Sequence, residues 1–299
     1  MNAPARATTD SQLAEFTFSE SDFSRIAKLA REKYGLDLQP SKKALVYSRL
    51  AKRLRFLKLT AFSDYCDLLT QARGQEENPH FLSALTTNVT HFFREAHHFT
   101  YLEKVVMPKL VAKARAGQPV RLWSSACSSG QEAYCMATVV DAACPDFASL
   151  DIKILATDID PAVVAQAKAG KYPDTQISAI PQKYRKTMIG AGAEPDATIV
   201  IHPKIKSLIS FAELNLIGDW PMRKAFDVIF CRNTAIYFDP ETQHRLWARF
   251  HDLLAPDGYL MIGHSERLGG EAAKHFRNVD ITTYQKCQEH SAFLDRQKA

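Results

Sequence analysis

The segment IFCRNTAIYF, residues 229–238, interrupts a hydrophobic run with Arg232, Asn233 and Thr234, then resumes and ends near Tyr237. A buried strand, FDVIFC, would deliver those polar side chains at its carboxyl end, where open α/β sheets bind ligands. An ordinary strand-to-helix turn would be polar as well, so the rest of the chain must give the stretch its meaning. A second apolar run, ILATD, ends on Asp158. An acid there can accept hydrogen bonds from both hydroxyls of a ribose, or it can cap the helix that begins PAVVAQA. Asp160 stands directly before Pro161 and suits the cap better, which leaves Asp158 for a ligand.

The turn after the first strand, CSSGQ, carries one glycine, Gly130. A pyrophosphate-binding turn needs G-x-G-x-x-G so that the phosphates can approach the backbone, and that pattern is missing. A lone glycine is also compatible with a simple tight turn. The combination favours a nucleoside cofactor without phosphates, which on a doubly wound sheet points to S-adenosylmethionine. The CRN tripeptide would then face the cofactor pocket alongside Asp158. His91, His97 and His98 come with no spaced cysteine or acid set, so a metal is not expected.

The elements that must position these residues fall into two blocks. Residues 1–17 are small and polar and read as a disordered lead. Helical periodicity dominates residues 18–90. A first helix covers SESDFSRIAKLAREKYG, with Ser19 or Ser21 as cap and Gly35 as stop. A second spans residues 41–57, a third covers AFSDYCDLLTQA, and a fourth begins near residue 78. From 91 to 290 the pattern changes. VRLWSSA, IKILATDID, LISFAEL, FDVIFC, YLMIGH and a closing DITTYQKC read as strands, alternating with helices. That alternation predicts an α/β fold with a doubly wound, Rossmann-like and mostly parallel sheet. Residues 172–210 interrupt it, and TIVIH and KSLISF around the loop GAGAEPDA read as a small inserted antiparallel β-subdomain.

Composition bounds the rest. The chain has 299 residues, 46% hydrophobic and 24% charged, with formal net charge +5. This is an ordinary globular balance, too weakly basic to argue for nucleic acid. The six cysteines form no C-x-x-C pair, which fits reduced thiols in the cytoplasm. The N-terminus lacks the apolar core of a secretory signal, and no apolar run is long enough to span a bilayer.

Six segments, TTNVTHFFRE (86–95), ACSSGQEAY (126–134), ATDID (156–160), LNL (214–216), FCRNTAIYFD (230–239) and GHSE (263–266), occur in an order that resembles the CheR-type chemotaxis receptor glutamate methyltransferases. The resemblance covers residues 18 to 287. It implies a helical N-terminal domain, a class I S-adenosylmethionine-dependent methyltransferase domain and an inserted β-subdomain. By motif it places Asn88, Thr90 and Arg94 beside cofactor and substrate glutamate. It puts Glu132 on the methionine part, Asp158 on the ribose, and Asn215, Leu216, Asn233 and Thr234 on the adenine side. Tyr237 would stand near the transferring methyl, so Arg94 and Tyr237 are the catalytic candidates. The family has a glutamate and a proline where Gln131 and Ala133 stand, and two larger apolar residues at Thr234 and Ala235.

The implied chemistry suits these residues. A glutamate is already anionic at neutral pH, so its alkylation needs alignment and exclusion of water rather than a general base. No base–nucleophile pair is evident in the motifs. Arg94 would orient the carboxylate with its planar fork. The second helix offers a docking face. Residues 38–63 contain no acid, and Arg49, Lys52 and Arg53 gather on one flank of an apolar stripe at Val46, Leu50, Leu54 and Leu57. Such a run is a solvated face or a dock for an acidic partner, here the cytoplasmic methylation region of a transmembrane chemoreceptor. The chain is expected to act as a monomer, without nucleic acid, membrane insertion or metal. Two other readings stay open: a non-catalytic S-adenosylmethionine sensor, and a nucleic-acid methyltransferase using the basic helix.

Overall fold

The structure, a computed structural model, describes residues 15–72, 74–86, 88–190 and 198–287. The chain forms two compact units. One joins Asp37–Thr86 to the segment ending at Lys33; the other joins Tyr34–Leu36 to the chain from Thr87 onward.

Among the described residues four helices build the first unit: α1 (Glu20–Tyr34), α2 (Lys43–Leu57), α3 (Phe62–Thr70) and α4 (Gly74–Leu85). Of the two possible caps of α1, Ser19 serves. Its Oγ accepts from Asp22 N at 3.0 Å while Asp22 accepts from Ser19 N at 2.9 Å, a reciprocal pair that satisfies two end donors. The apolar stripe of α2 is buried at Val46, Leu50 and Leu54. This helix starts two residues later than its periodicity suggests, because Pro40–Lys42 form a separate 3-10 turn. Helix α4 starts four residues earlier than expected and contains Pro79. Its first turn is tied down by Glu77, which pairs with Arg53 and accepts from Tyr65 Oη. Phe16, assigned from sequence to the featureless lead, is instead buried against Phe62.

The second unit opens with α5 (Ala96–Tyr101) and α6 (Met107–Arg115), separated by a widened π-type turn at Leu102–Val106 just ahead of Pro108. The chain then enters a seven-stranded sheet. In chain order its strands are β1 (Val120–Ser124), β2 (Ile152–Asp158), β5 (Ile209–Glu213), β6 (Phe226–Cys231), β7 (Leu254–Ile262), β8 (Phe276–Asp280) and β9 (Thr283–Lys286). The spatial order is β5-β2-β1-β6-β7-β9-β8. The first five are parallel; β9 runs antiparallel to β7, and β8 to β9. The sequence read one closing strand where a hairpin forms, since β8 is short and half exposed and gives no buried run. Between strands lie α7 (Gln131–Ala143), α8 (Pro161–Ala169) and α11 (Pro240–Leu253). The order reverses between β1 and β6, which puts the crevice of a doubly wound sheet at their carboxyl ends.

Among the described residues the insertion is smaller and less strand-rich than expected. β3 (Lys171–Pro173) pairs antiparallel with β4 (Thr198–Val200), and Ile189 bridges to Ile201. A 3-10 stretch (Asp174–Ala179) and α9 (Gln182–Met188) stand between them. KSLISF does not belong to it. His202 caps a short helix α10 (Pro203–Lys206), and Ile209 enters the main sheet opposite Ile154. The loop residues 191–197, including Gly192, Glu194, Pro195 and Asp196, lie outside the described residues.

All six cysteines are free thiols, five of them buried and Cys287 exposed. Among the described residues no helix is long and apolar enough to cross a membrane.

Candidate functional site

Asp158 ends β2 and faces the turn that follows β1. Its Oδ2 accepts from Ser128 N at 2.8 Å and its Oδ1 from Asp160 N at 3.1 Å. It does not cap α8. Asp160 does, accepting from Ala162 N at 2.9 Å, and Asn88 Nδ2 donates to its other oxygen at 3.2 Å. Gly130 has φ +97°, and a Cβ there would lie 2.8 Å from Ala167 Cβ. This one position needs glycine both for its left-handed backbone and for the approach of α8.

Glu132, in the first turn of α7, accepts from Ser124 Oγ at 2.7 Å and from Arg232 Nη1 at 2.9 Å. Burial pushes its carboxyl upward, and the charge of Arg232 works against that. Two acids, Asp158 and Glu132, thus stand where a dinucleotide-binding turn would meet pyrophosphate. They would repel phosphate, whereas they suit ribose hydroxyls and an amine. The residues present fit S-adenosylmethionine.

Arg94 sits between two left-handed residues, Phe93 (φ 54°) and Glu95 (φ 55°). Such conformations cost roughly 1–3 kcal/mol each for residues other than glycine, so neighbours must hold the turn. Phe93 N donates to Cys135 Sγ at 3.1 Å, and the Phe93 ring stacks on Tyr184 with centroids 5.0 Å apart. Glu95 Oε1 accepts from Asn233 Nδ2 at 3.2 Å and pairs with His264 Nδ1 at 2.9 Å. Burial alone would raise the Glu95 carboxyl; the His264 hydrogen bond, the Arg232 charge and Asn233 bring it down to about 2. One Arg94 N–H group donates to Val89 O at 2.9 Å. Thr90 is half-buried on the same turn and Asn88 is exposed.

The loop after β6 is wrapped around one buried carboxylate. Glu266 accepts from Asn233 N (3.0 Å), Thr234 N (2.8 Å) and Ala235 N (2.7 Å), and from Gly263 N. Burial pushes this carboxyl up, and the four N–H groups oppose the shift. Asn233 is left-handed at φ 58°, and a Cβ on Gly263 would come within 2.6 Å of Asn233 Nδ2. GHSE therefore contributes a glycine that makes room and an acid that shapes the loop. Tyr237 ends a 3-10 turn (Ala235–Tyr237) and is half-buried. Asn215 folds its own loop by accepting from Ile217 N at 3.1 Å, and Leu216 is buried beside it.

Arg232 joins these parts. Its side chain is 2% exposed and contacts Glu132 and Glu95 (3.4 Å) as well as the carbonyl of Arg94. The cation cancels charge on both acids and fixes the main chain of the turn that carries Arg94. Sequence reading placed Arg232 in the CRN tip facing the cofactor pocket, without naming the two acids and the carbonyl that its guanidinium meets. The histidines also differ from expectation, because an acid does accompany them. Ligand atoms of Glu95, His97 and His98 lie within 4.8 Å of one another. Arg232 Nη2 lies 3.4 Å from Glu95 Oε2, the same oxygen that stands 3.7 Å from His98 Nδ1.

The docking candidates divide. Arg53 makes a two-point contact with Glu77 at 2.9 and 2.7 Å, and Arg49 donates to Leu85 O at 2.8 Å. Both tie α2 to α4. Lys52 is exposed, and so are Leu45 (46%) and Phe56 (72%), which share its face of the helix.

Comparison with known proteins gives the family. The profile described as "CheR methyltransferase, SAM binding domain" matches residues 88–285, and "CheR methyltransferase, all-alpha domain" matches residues 21–86. A "Probable chemotaxis protein methyltransferase" of Rhizobium etli is 46% identical over 251 residues, 84% of this chain and 94% of the relative. "Chemotaxis protein methyltransferase 2" of Pseudomonas aeruginosa is 38% identical over 275 residues, 90% of this chain and 94% of the relative. The "Chemotaxis protein methyltransferase" of Escherichia coli is 38% identical over 251 residues, 83% of this chain and 85% of the relative.

Proposed function

The chain belongs to the CheR methyltransferase family, and from that premise we propose that it methylates glutamate side chains in the cytoplasmic region of a chemoreceptor. The coarser activity, methyl transfer from S-adenosylmethionine in chemotaxis, comes with the family. One observation supports the carboxylate as acceptor. Among the described residues the site holds five carboxylates, Glu95, Glu132, Asp158, Asp160 and Glu266, and each is held by at least two hydrogen-bonding partners. Those partners fix each of them as a brace or a cofactor contact, and a carboxylate acceptor, already anionic, needs no further group to take a proton from it.

Bound S-adenosylmethionine supplies a methyl group on a sulfonium, which an anion can displace. Asp158 would hold the ribose, Glu132 the methionine amine, and the Asn215–Leu216 segment the adenine side. Asn233, expected on the adenine side, also supports the site from within. Its side chain is given to Glu95 and its backbone to Glu266, so it braces the pocket and links it to the Arg94 turn. Arg94 orients the incoming carboxylate with its remaining donors, and Tyr237 walls the path. Neutralisation of opposite charges is favoured once water is excluded. The helical unit docks the receptor through the exposed α2 face at Lys52, with Leu45 and Phe56 adding apolar contact.

The test is transfer of labelled methyl from cofactor to receptor fragment, followed by mild base. Release of labelled methanol identifies an ester. Base-stable label would mean an N-methyl product and sink the assignment; cofactor binding without any transfer would favour a sensor.

A further inference from the structure

The connection from β5 to β6 has no regular structure at residues 214–225, yet its first half is fixed. Leu214 N donates to the Asp158 carbonyl at 2.9 Å, and Gly218 N to Asn215 O at 3.1 Å. From α11, Arg249 reaches the same loop. Its Nη1 donates to Leu216 O at 2.8 Å and its Nη2 to Gly218 O at 2.6 Å. The guanidinium also lies 3.8 Å from the centroid of the Trp220 ring. Trp220 in turn packs edge-on against Trp123 of β1, 5.0 Å between centroids, and against Phe250 at 5.2 Å.

A guanidinium has donors in a rigid fork. Spent on carbonyls two residues apart, they fix the backbone of Ile217 between them, and the Trp220 stack anchors the far side. Freed from this clamp, the loop would be ordered only on binding, at a cost in backbone entropy that is subtracted from the affinity. The segment so held begins beside Asp158, at the end of the strand paired with β2 through Asp158 and Glu213.

We infer that Arg249 is a positioning residue for the cofactor, holding the Asn215–Gly218 wall in the shape that receives the adenine side. The inference rests on the proposed seat of S-adenosylmethionine at Asp158 and Asn215–Leu216. Arg249 acts through the loop, so its loss affects every ligand bearing an adenosine group equally and leaves receptor recognition alone.

The experiment measures binding of S-adenosylmethionine, S-adenosylhomocysteine and 5′-methylthioadenosine by calorimetry, with the Michaelis constant for receptor fragment as control. Arg249→Met keeps the apolar stem over Trp220 and removes both donors. It is expected to weaken all three ligands by about tenfold, the scale of a charged hydrogen bond. Arg249→Lys should recover part of that, and neither variant should change the receptor constant. Wild-type affinity in Arg249→Met alongside weakened binding in Asn215→Ala would overturn the clamp and leave the seat standing. Wild-type affinity in both would overturn the clamp and the seat together. A raised receptor constant with unchanged cofactor affinity would place Arg249 on the substrate side and overturn the inference. Should Arg249→Met not fold, Arg249→Lys carries the same comparison, and wild-type affinity there rejects the clamp.

Discussion

Glu266 and Asn233 lie 33 residues apart in sequence, yet the carboxylate of one sets the left-handed backbone of the other through a 3.0 Å hydrogen bond from Asn233 N. The same acid takes the next two N–H groups as well, so the loop between β6 and Tyr237 is shaped around an anion supplied by the chain itself. Glu266→Gln turns one of its two oxygens into an NH2 group that faces N–H donors. Unfolding in denaturant should show a loss of about 1–3 kcal/mol, the cost of buried groups left without partners. Methyl transfer should fall at least about tenfold, since misplacing a reacting group by even a small distance is costly. Wild-type turnover in this variant would show that the loop keeps its shape without the anion.

Arg94 and Asp158 should separate chemistry from binding. Arg94→Ala should cut turnover far more than S-adenosylmethionine affinity. Asp158→Ala should weaken that affinity by about 1.5–3 kcal/mol, measured by calorimetry. Equal losses of turnover and affinity in Arg94→Ala would make it a cofactor or folding residue.

Acid should destabilise the sheet unit in two stages. His98 is held down to about 3 by burial and by the nearby charge of Arg232, so the native state resists a proton that the unfolded chain takes up near 6.5. Stability is full above that value and is lost as pH falls from 6.5 toward 3, by at most about 1.4 kcal/mol per pH unit. Glu95, lowered to about 2 from 4.5, adds a second loss as pH falls through that lower window. In His98→Gln the slope between pH 6.5 and 4.5 should flatten, read from denaturant midpoints across pH. An unchanged slope would assign the first stage to another group.

Docking through α2 should depend on Lys52 and Phe56 rather than on Arg53. Lys52→Glu and Phe56→Ser should raise the Michaelis constant for receptor without changing cofactor affinity, and salt should weaken the wild type in the same direction as Lys52→Glu. Arg53→Ala leaves Glu77 buried without its cation and should lower stability by roughly 2–3 kcal/mol, below the cost of breaking a fully buried pair because Arg53 is partly exposed. A receptor constant unmoved by Lys52→Glu and by salt would make this face a solvated one.

Much of the scaffold is legible because short-range rules set it. Apolar runs mark β1, β2 and β6, and the proline after Asp160 assigns the helix cap, freeing Asp158. The site's braces are not legible in that way. The CRN tip is expected at the pocket, but that Arg232 serves as a brace shows only through Glu132, 100 residues away in sequence. Arg49 and Arg53 look like members of a basic face because their partners lie 24 to 37 residues on, in α4 and just beyond it. KSLISF misleads for a similar reason. Its apolar half reads both as LISFAEL of the main sheet and as part of the insertion, and the pairing of Ile209 with Ile154 decides for the sheet.

The distribution of thiols makes the chain its own reporter of local opening. Cys66 alone represents the helical unit, and burial pushes its thiol up to about 11. Cys127, Cys135 and Cys231 lie in the sheet unit, where burial raises each of them as well. A maleimide at neutral pH should therefore label Cys287 first, and each later site only as its surroundings open. Blocking Cys287 and following the order of the remaining labels by mass would resolve loosening of the helical unit from loosening of the sheet unit.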